Sequence, residues 1–406
     1  MKLRKLSQLA LASGIGLAVA VTLTACQLVT VDYVFVAGTS TSTTSGGGIQ
    51  TFAVDSQSGV PRLVNNTEKA PVDTGGSLPV AMAVDGTYAN VYVANQGNSS
   101  VVHFTLDASG NLTKADSITL SDTPVALAVT PSGSALFVAY GSSSATLAEY
   151  TLSSGKIGSL VTEQPLTIPG YDGDVVLPTA VIVLQNGAGV FATVYDKSAY
   201  NPGGITTSTA NPGWVYGFAI SSGGGLSANT DSPWRAGVKP SALVADPANR
   251  FVYVTDFASN QMIGYGITSG TTLNYLISGP YKTGNQPSAI TIDPRGKFIY
   301  VANSLDSTVS AYAIDLTTGI PSAAIGTTGA TNNVTDTQPN AIVVEPALAR
   351  FVYTANTLGN SVSGFRLNTT TGVLSQTQAT PYPAEEKPTA IIAVPHGNHA
   401  SQVIVQ

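Results

Sequence analysis

The chain has 406 residues, a formal net charge of −6, only 10% charged residues, and 41 glycines and 23 prolines. That length fits either two or three average domains or one long all-β domain, and a composition poor in charge and rich in Gly and Pro suits many short strands joined by turns. The balance is acidic, about −9 once the leader cations Lys2, Arg4 and Lys5 are discounted, and the basic residues are scattered singly, as at Lys156, Arg250, Lys297 and Arg350; this excludes a phosphate-tracking surface and with it a nucleic-acid partner.

The first element in chain order is a targeting segment. Lys2, Arg4 and Lys5 precede an apolar run from Leu9 to Leu23 interrupted only by small residues. The run ends in Leu23-Thr24-Ala25-Cys26, which resembles a bacterial lipobox, and Cys26 is the single cysteine of the chain. No structural disulfide can form, and a lone thiol in an exported protein finds its use as the acceptor of a lipid. The expected organisation is a signal peptide over 1–25, a lipidated tether over 26–31, a folded domain over 32–396 and a tail over 397–406. Gln27, rather than an acidic residue, follows the cysteine, in keeping with the outer membrane or the periplasmic side of the cell envelope. The membrane is therefore one expected partner, reached through the lipid on Cys26.

A single unit then recurs through the rest of the chain. It consists of Pro-x-Ala opening an apolar strand, a turn, a second strand similar to Tyr-Val-Ala-Asn, a polar turn, and a third strand that ends in an aromatic residue followed by an aliphatic one. The clearest copy runs Pro287-Ser288-Ala289-Ile290-Thr291-Ile292, turns at Asp293-Pro294-Arg295-Gly296, and continues Phe298-Ile299-Tyr300-Val301-Ala302-Asn303. Pro-x-Ala strands begin at Pro79, Pro124, Pro178, Pro240, Pro287, Pro339 and Pro388, and second strands at Tyr33, Val91, Leu136, Val190, Phe251, Phe298 and Phe351. The two series are out of phase at the ends: the segment at Tyr33 has no Pro-x-Ala strand before it, and the one at Pro388 has no second strand after it. A repeat of roughly 45 to 50 residues suits a four-stranded propeller blade. The phase predicts an all-β, seven-bladed β-propeller closed by pairing of its N- and C-terminal strands, which removes the exposed sheet edge.

These Tyr-Val-Ala-Asn strands resemble the repeats of surface-layer-type propellers and of the lactonase (6-phosphogluconolactonase-like) seven-bladed propeller family, over roughly residues 31 to 396. The resemblance implies a lactone hydrolase of sugar lactones. It also implies His at the start of inner strands and Arg and Glu about the channel, and this sequence has Ser, Val, Thr or Asn at those strand starts.

In a propeller the residue between Pro and Ala is expected at the channel mouth. Around the ring it is Val80, Val125, Thr179, Ser241, Ser288, Asn340 and Thr389. None of these is a general acid or base near neutral pH, and none is a His, Asp or Glu that would hold a metal; no catalytic residue, metal or cofactor is expected. A second ring, Asn95, Tyr140, Asp196, Asp256, Asn303 and Asn356, is read as closing the turn that follows each second strand. His103 and Glu149, in matching slots of consecutive repeats, are read as blade packing.

The fourth repeat departs from the others, with a long loop over 196–213 and an entry segment Gly170-Tyr171-Asp172-Gly173-Asp174. With Trp234-Arg235, these insertions are expected to gather Tyr171, Asp172, Asp174, Tyr200, Trp234 and Arg235 into an aromatic and polar patch suited to a glycan or protein ligand, since inserted loops carry function more often than the scaffold does. The resulting expectation is an exported, lipid-anchored, non-catalytic binding or envelope-scaffold protein, with lactone hydrolysis as the alternative.

Overall fold

Near-continuous apolar second strands such as Phe298-Ile299-Tyr300-Val301-Ala302, with turn residues every few positions, call for sheets that bury both faces, and the computed structural model shows that arrangement. It describes residues 29–64, 70–168, 175–197, 200–201, 204–205, 213–326 and 333–397. Among them, seven antiparallel sheets of four or five strands stand around one axis, together with a small hairpin, Tyr200–Asn201 with Gly204–Ile205. Blades I to VI open with the inner strands Pro79–Val84, Pro124–Val129, Val176–Val183, Pro240–Ala245, Pro287–Ile292 and Pro339–Val344. Each inner strand touches the next around the ring.

Blade VII is built from the two ends of the chain. Its inner strand, Glu386–Pro395, pairs antiparallel with Thr30–Thr39, matching Tyr33 with Val394 and Phe35 with Ile392, and Thr30–Thr39 pairs in turn with Gly47–Asp55. The inner strand of blade VII touches that of blade I, so the ring is closed. The entering strand starts at Thr30, ahead of the expected boundary at 32, because Val31 is 1% exposed and packs with Val34 and Phe351 in the seam between blades VI and VII. At the other end His396 belongs to the folded ring: its imidazole meets Tyr33 edge-on at 5.0 Å, and its backbone N–H donates to the Val31 carbonyl at 2.8 Å.

The blades are held together by a repeated contact. In the second strands Phe251–Asp256, Phe298–Asn303 and Phe351–Asn356, the first and third side chains both reach a glycine in the outer hairpin of the next blade. The hydroxyls of Tyr253, Tyr300 and Tyr353 donate to the carbonyls of Gly319, Gly372 and Gly59 at 2.6, 3.0 and 2.7 Å. The rings of Phe251, Phe298 and Phe351 lie so close to those glycines that a Cβ would fall 2.1–2.4 Å from a ring carbon. Blade I repeats the bond, with Tyr92 donating to Gly155 at 2.6 Å and Asn90 in the place of the phenylalanine. Blades II and III differ. There the two positions are Ala135 with Phe137 and Gly189 with Phe191, so no hydroxyl bond crosses to the next blade from that position.

His103 and Glu149 are 2% and 1% exposed and serve neighbouring interfaces rather than facing each other. His103 bonds Asn90 and Asp116 at 2.9 and 3.0 Å and stacks on Tyr92, while Glu149 accepts the Gly225 N–H of blade III at 2.9 Å. Burial raises the Glu149 carboxyl above its ordinary value.

A carboxyl pair lies in the closing seam. Asp32 and Glu345 are both 0% exposed. Glu345 accepts the N–H groups of Arg350 and Leu348 at 2.6 and 2.8 Å, and Asp32 accepts that of Ala347 at 3.3 Å. Burial first, and the adjacent Glu345 carboxylate second, push the Asp32 carboxyl up to about 10, so Asp32 keeps its proton at neutral pH and shares it with Glu345.

Two predictions test this packing. Gly319→Ala should lower the unfolding free energy in urea by about 3 kcal/mol, because it combines a strained positive φ with overlap on the Phe251 ring. Gly187→Ala, at a similar φ of +69° but with nothing within 4 Å of the new methyl, should lower it by only about 1 kcal/mol. For the seam, the folded chain holds a proton that the unfolded chain, with the carboxyl near 3.8, has released. Its contribution is therefore complete at acid pH and lost as pH rises from about 4 to about 10. The melting temperature should fall over that window, by at most about 1.4 kcal/mol of stability per pH unit, and Asp32→Asn, which keeps a donor without a charge, should flatten the slope.

Candidate functional site

Proline opens the inner strands because the ladder is broken there. In blade I the register slips between Pro79 and Ala81, and the same slip occurs at Pro178, Pro240, Pro287 and Pro339. The intervening residue is a bulge, with two inner-strand residues facing one on the second strand, and a bulge re-aims the side chain it carries. This places Val80, Val125, Thr179, Ser241, Ser288, Asn340 and Thr389 at equivalent positions at the end of the inner strands where the chain enters them.

Their hydroxyls are largely engaged with one another's blades. Ser241 donates to the Pro287 carbonyl and Ser288 to the Pro339 carbonyl, each at 2.6 Å. Asn340 donates to the Thr357 hydroxyl at 2.8 Å, which donates to the Pro388 carbonyl at 2.7 Å, and Thr389 donates to the Pro79 carbonyl. The relay thus runs from blade IV through VII to blade I. It lapses on the other side, where Val80 and Val125 have no hydroxyl and Thr179 turns to Thr193 of its own blade at 2.8 Å.

A cavity of about 490 Å³ opens at the mouth, on the side where the relay lapses. Blades II, III and IV contribute most of its wall, including Val125, Thr179, Ser241 and Tyr195, and Ser288 and Asn340 complete it from blades V and VI. Lys239 is its charged lining residue among those described, and neither a carboxylate nor an imidazole lines it. The Lys239 ammonium stands 5.4 Å from the centre of the Tyr195 ring and 4.6 Å from that of Phe257, a cation held against two aromatic faces. Burial lowers its pKa from the ordinary value. The buried Asp256 fixes the loop that presents it, accepting the N–H groups of Val238 and Lys239 at 3.0 and 2.9 Å.

The second ring is structural, through bonds that reach farther than the following turn. Asn303 accepts the Gly284 N–H at 3.1 Å and donates to Thr308 and Ser310 of the third strand. Asn356 donates to Ser361 and Ser363, and the Tyr140 hydroxyl donates to Glu163. Among the described residues no group of three or more His, Cys, Asp or Glu side chains is placed to hold a metal ion.

Of the aromatic and polar patch named from the sequence, Tyr171, Asp172 and Asp174 lie outside the described residues, as does Cys26, and Tyr200 is described only as part of a backbone hairpin. Trp234 is half-buried and packs against Gly217 and the apolar cluster between blades III and IV. Arg235 is exposed, with its guanidinium 5.3 Å from the Trp214 ring, and it lines a separate 340 Å³ cavity with Tyr275 and Leu276. The two therefore stand apart from the wall of the mouth cavity. Lys239 was missed in the sequence, although it directly precedes the fourth Pro-x-Ala and so belongs to the same mouth turn.

Several solved structures share this fold at low identity. A periplasmic gluconolactonase of Pseudomonas aeruginosa superposes with a TM-score of 0.72 at 19% identity, covering 90% of this chain and 100% of its own. A protein of Bacteroides fragilis provisionally called a 6-phosphogluconolactonase gives 0.71 at 18% identity, covering 89% and 98%. A functionally unknown protein of Desulfotomaculum acetoxidans gives 0.64 at 16%, covering 89% and 98%. No curated protein matches the sequence. The family model described as "Lactonase, 7-bladed beta-propeller" matches residues 49–171 and 227–399, most of the chain. Repeat, ring closure and family match agree, and the chain belongs to the lactonase seven-bladed β-propeller family.

Proposed function

We propose that the protein is an exported, lipid-anchored propeller that binds a sugar-sized polar ligand, with a sugar acid or sugar lactone as the chemical class, in the mouth cavity and does not hydrolyse it. The observation that carries this reading is Lys239, held between Tyr195 and Phe257 in a cavity otherwise lined by hydroxyls, amides and apolar groups. A desolvated cation attracts a carboxylate or a lactone carbonyl, the rings offer faces to sugar C–H groups, and the surrounding hydroxyls suit a polyol. Export and anchoring are supported by the basic and apolar leader that ends at Cys26, and the Pseudomonas aeruginosa neighbour is itself named periplasmic.

Lactone hydrolysis is the second reading. Family membership favours it, and so does the burial of Lys239, which lowers its pKa and so moves it toward the form that could accept a proton from water. Against it stands the cavity wall, which supplies no carboxylate or imidazole among the described residues to serve as partner acid or base.

Calorimetric titration of D-gluconate and of neutral sugars separates the readings, together with pH-stat assays of D-glucono-1,5-lactone. We expect saturable aldonate binding that Lys239→Met weakens by about tenfold or more, the scale of one charge-assisted hydrogen bond, and no lactone turnover above the spontaneous rate. Binding unchanged in Lys239→Met would sink the site. Turnover lost in Lys239→Met would establish the enzyme instead. Tyr171→Ala and Tyr200→Ala belong in the same titrations, because in sequence the two residues flank the strands Val176–Val183 and Gly189–Asp196, the second of which contributes Tyr195 to the cavity.

A further inference from the structure

The end of the propeller opposite the mouth has an uneven distribution of exposed charge. Strand direction fixes the two ends: inner strands run away from the mouth, so the turns at 85–89, 246–250, 293–297 and 345–350 lie on the base, along with the hairpins that lead to the outermost strands. Thr30, where the described chain enters the ring, lies there too, since its strand runs antiparallel to Glu386–Pro395.

Carboxylates and cations on this face differ in exposure. Asp32, Asp55, Asp85, Asp246, Asp293 and Glu345 are all buried, most of them accepting N–H groups of their own turns, as Asp293 does from Lys297 and Phe298. The exposed acids of the base among the described residues are Asp107 and Asp315, and each is engaged in capping its hairpin. None of the base cations is buried. Arg250 and Arg295 are paired with Asp246 and Asp293 at 2.8 and 3.4 Å, which leaves Arg62, Lys156, Lys297, Arg350 and Arg366 facing outward. Four of these five sit on blades V, VI and VII, beside the point where the chain enters. The mouth end has the reverse balance, with Asp73, Asp122, Glu163, Asp306, Asp336, Glu385 and Glu386 half-buried or exposed against the cations Lys197, Lys239, Lys282 and Lys387.

We propose that the base of the propeller is a docking surface for an anionic phospholipid bilayer, so that the mouth cavity opens away from the membrane. The inference rests on the lipid-anchor reading of Cys26. That residue precedes Thr30 by four positions, so the lipid is within roughly 14 Å of the base even at full extension of the chain. A tether that short holds the base near the surface potential of the lipid headgroups, which decays over a Debye length of about 8 Å at physiological salt. A basic patch beside a lipid anchor adds a second, electrostatic attachment, and here it would set orientation.

The test uses the full lipidated chain reconstituted into vesicles of phosphatidylcholine, with or without phosphatidylglycerol. One fluorophore is placed on the base through Thr370→Cys and, in a second sample, at the mouth through Leu358→Cys, and quenching by a spin-labelled lipid is read. Quenching of the base label should exceed that of the mouth label by about threefold or more in anionic vesicles. The difference should collapse in high salt and in the Lys156→Glu/Lys297→Glu/Arg350→Glu variant. The salt arm needs no substitution and so stands even if the variant folds poorly. Equal quenching of the two labels, or a difference indifferent to salt and lipid charge, overturns the orientation while co-flotation with the vesicles upholds the anchor. Failure to float overturns both.

Discussion

The pairing of Glu386–Pro395 with Thr30–Thr39 is the constraint on which the rest of the structure depends. A four-stranded blade has a hydrophobic face on each side and two edges, and alone it can satisfy neither. Six blades can hand their faces to a neighbour along the chain, but a row always leaves two terminal faces bare. Here the last inner strand serves the first outer strands, so the bare faces meet, and Val31, Val34 and Phe52 pack directly on Phe351 and Tyr353 of blade VI. The seam also buries Asp32 against Glu345. One proton leaves the pair a single negative charge instead of two, which the N–H groups of Arg350, Leu348 and Ala347 face, and it links closure of the ring to pH.

Given closure, each interface needs a wedge-shaped fit between one blade's second strand and the next blade's hairpin. The Phe-x-Tyr pattern meets that need with a ring seated on a glycine and a hydroxyl on the same glycine's carbonyl. Both halves are absent from blades II and III, where Ala135 and Gly189 stand with Phe137 and Phe191. The hydroxyl relay of the inner strands lapses in the same sector, at Val80, Val125 and Thr179. The mouth cavity sits at that place. The bonded side of the ring runs from blade IV round to blade I, and on the open side, through blades II and III, the hairpin Tyr200–Asn201 with Gly204–Ile205 follows the second strand of blade III.

The architecture was legible because it is written seven times. Pro-x-Ala marks a bulge whose Pro needs no N–H partner, the near-continuous apolar second strands mark burial on both faces, and the phase of the two series fixes the closure at Tyr33 and Pro388. The seven positions between Pro and Ala could be matched to one another for the same reason. What their side chains do could not, because Ser241 and Ser288 bond to carbonyls of the neighbouring blade, a relation between residues about 50 positions apart that no local pattern carries. Lys239 escaped notice for a similar reason. Its importance comes from Tyr195 and Phe257, which two different blades bring to it, whereas in the sequence it is one of several unlike residues preceding Pro-x-Ala, among them Leu78, Thr123 and Gln286. Asp32 carries no signal in the repeat, because Glu345 comes beside it only when the ring closes.

Membership of a lactonase family fixes the scaffold and leaves the chemistry to the mouth. A lactone is neutral, its hydrolysis product is a carboxylate, and the transition state between them has its developing charge on the former carbonyl oxygen. A hydrolase gains rate only from contacts stronger in that transition state than in substrate or product. Lys239, partly desolvated and clasped by two rings, offers a localised positive charge that is already in place for a stable anion. With the Asp256 carboxylate already accepting the N–H groups of Val238 and Lys239, and no carboxylate or imidazole in the cavity wall among the described residues, the same charge would stabilise the open carboxylate at least as well as the oxyanion. Under the proposed function such a cavity would hold a sugar acid rather than make one, and a mouth turned from the membrane would take that ligand from the surrounding medium.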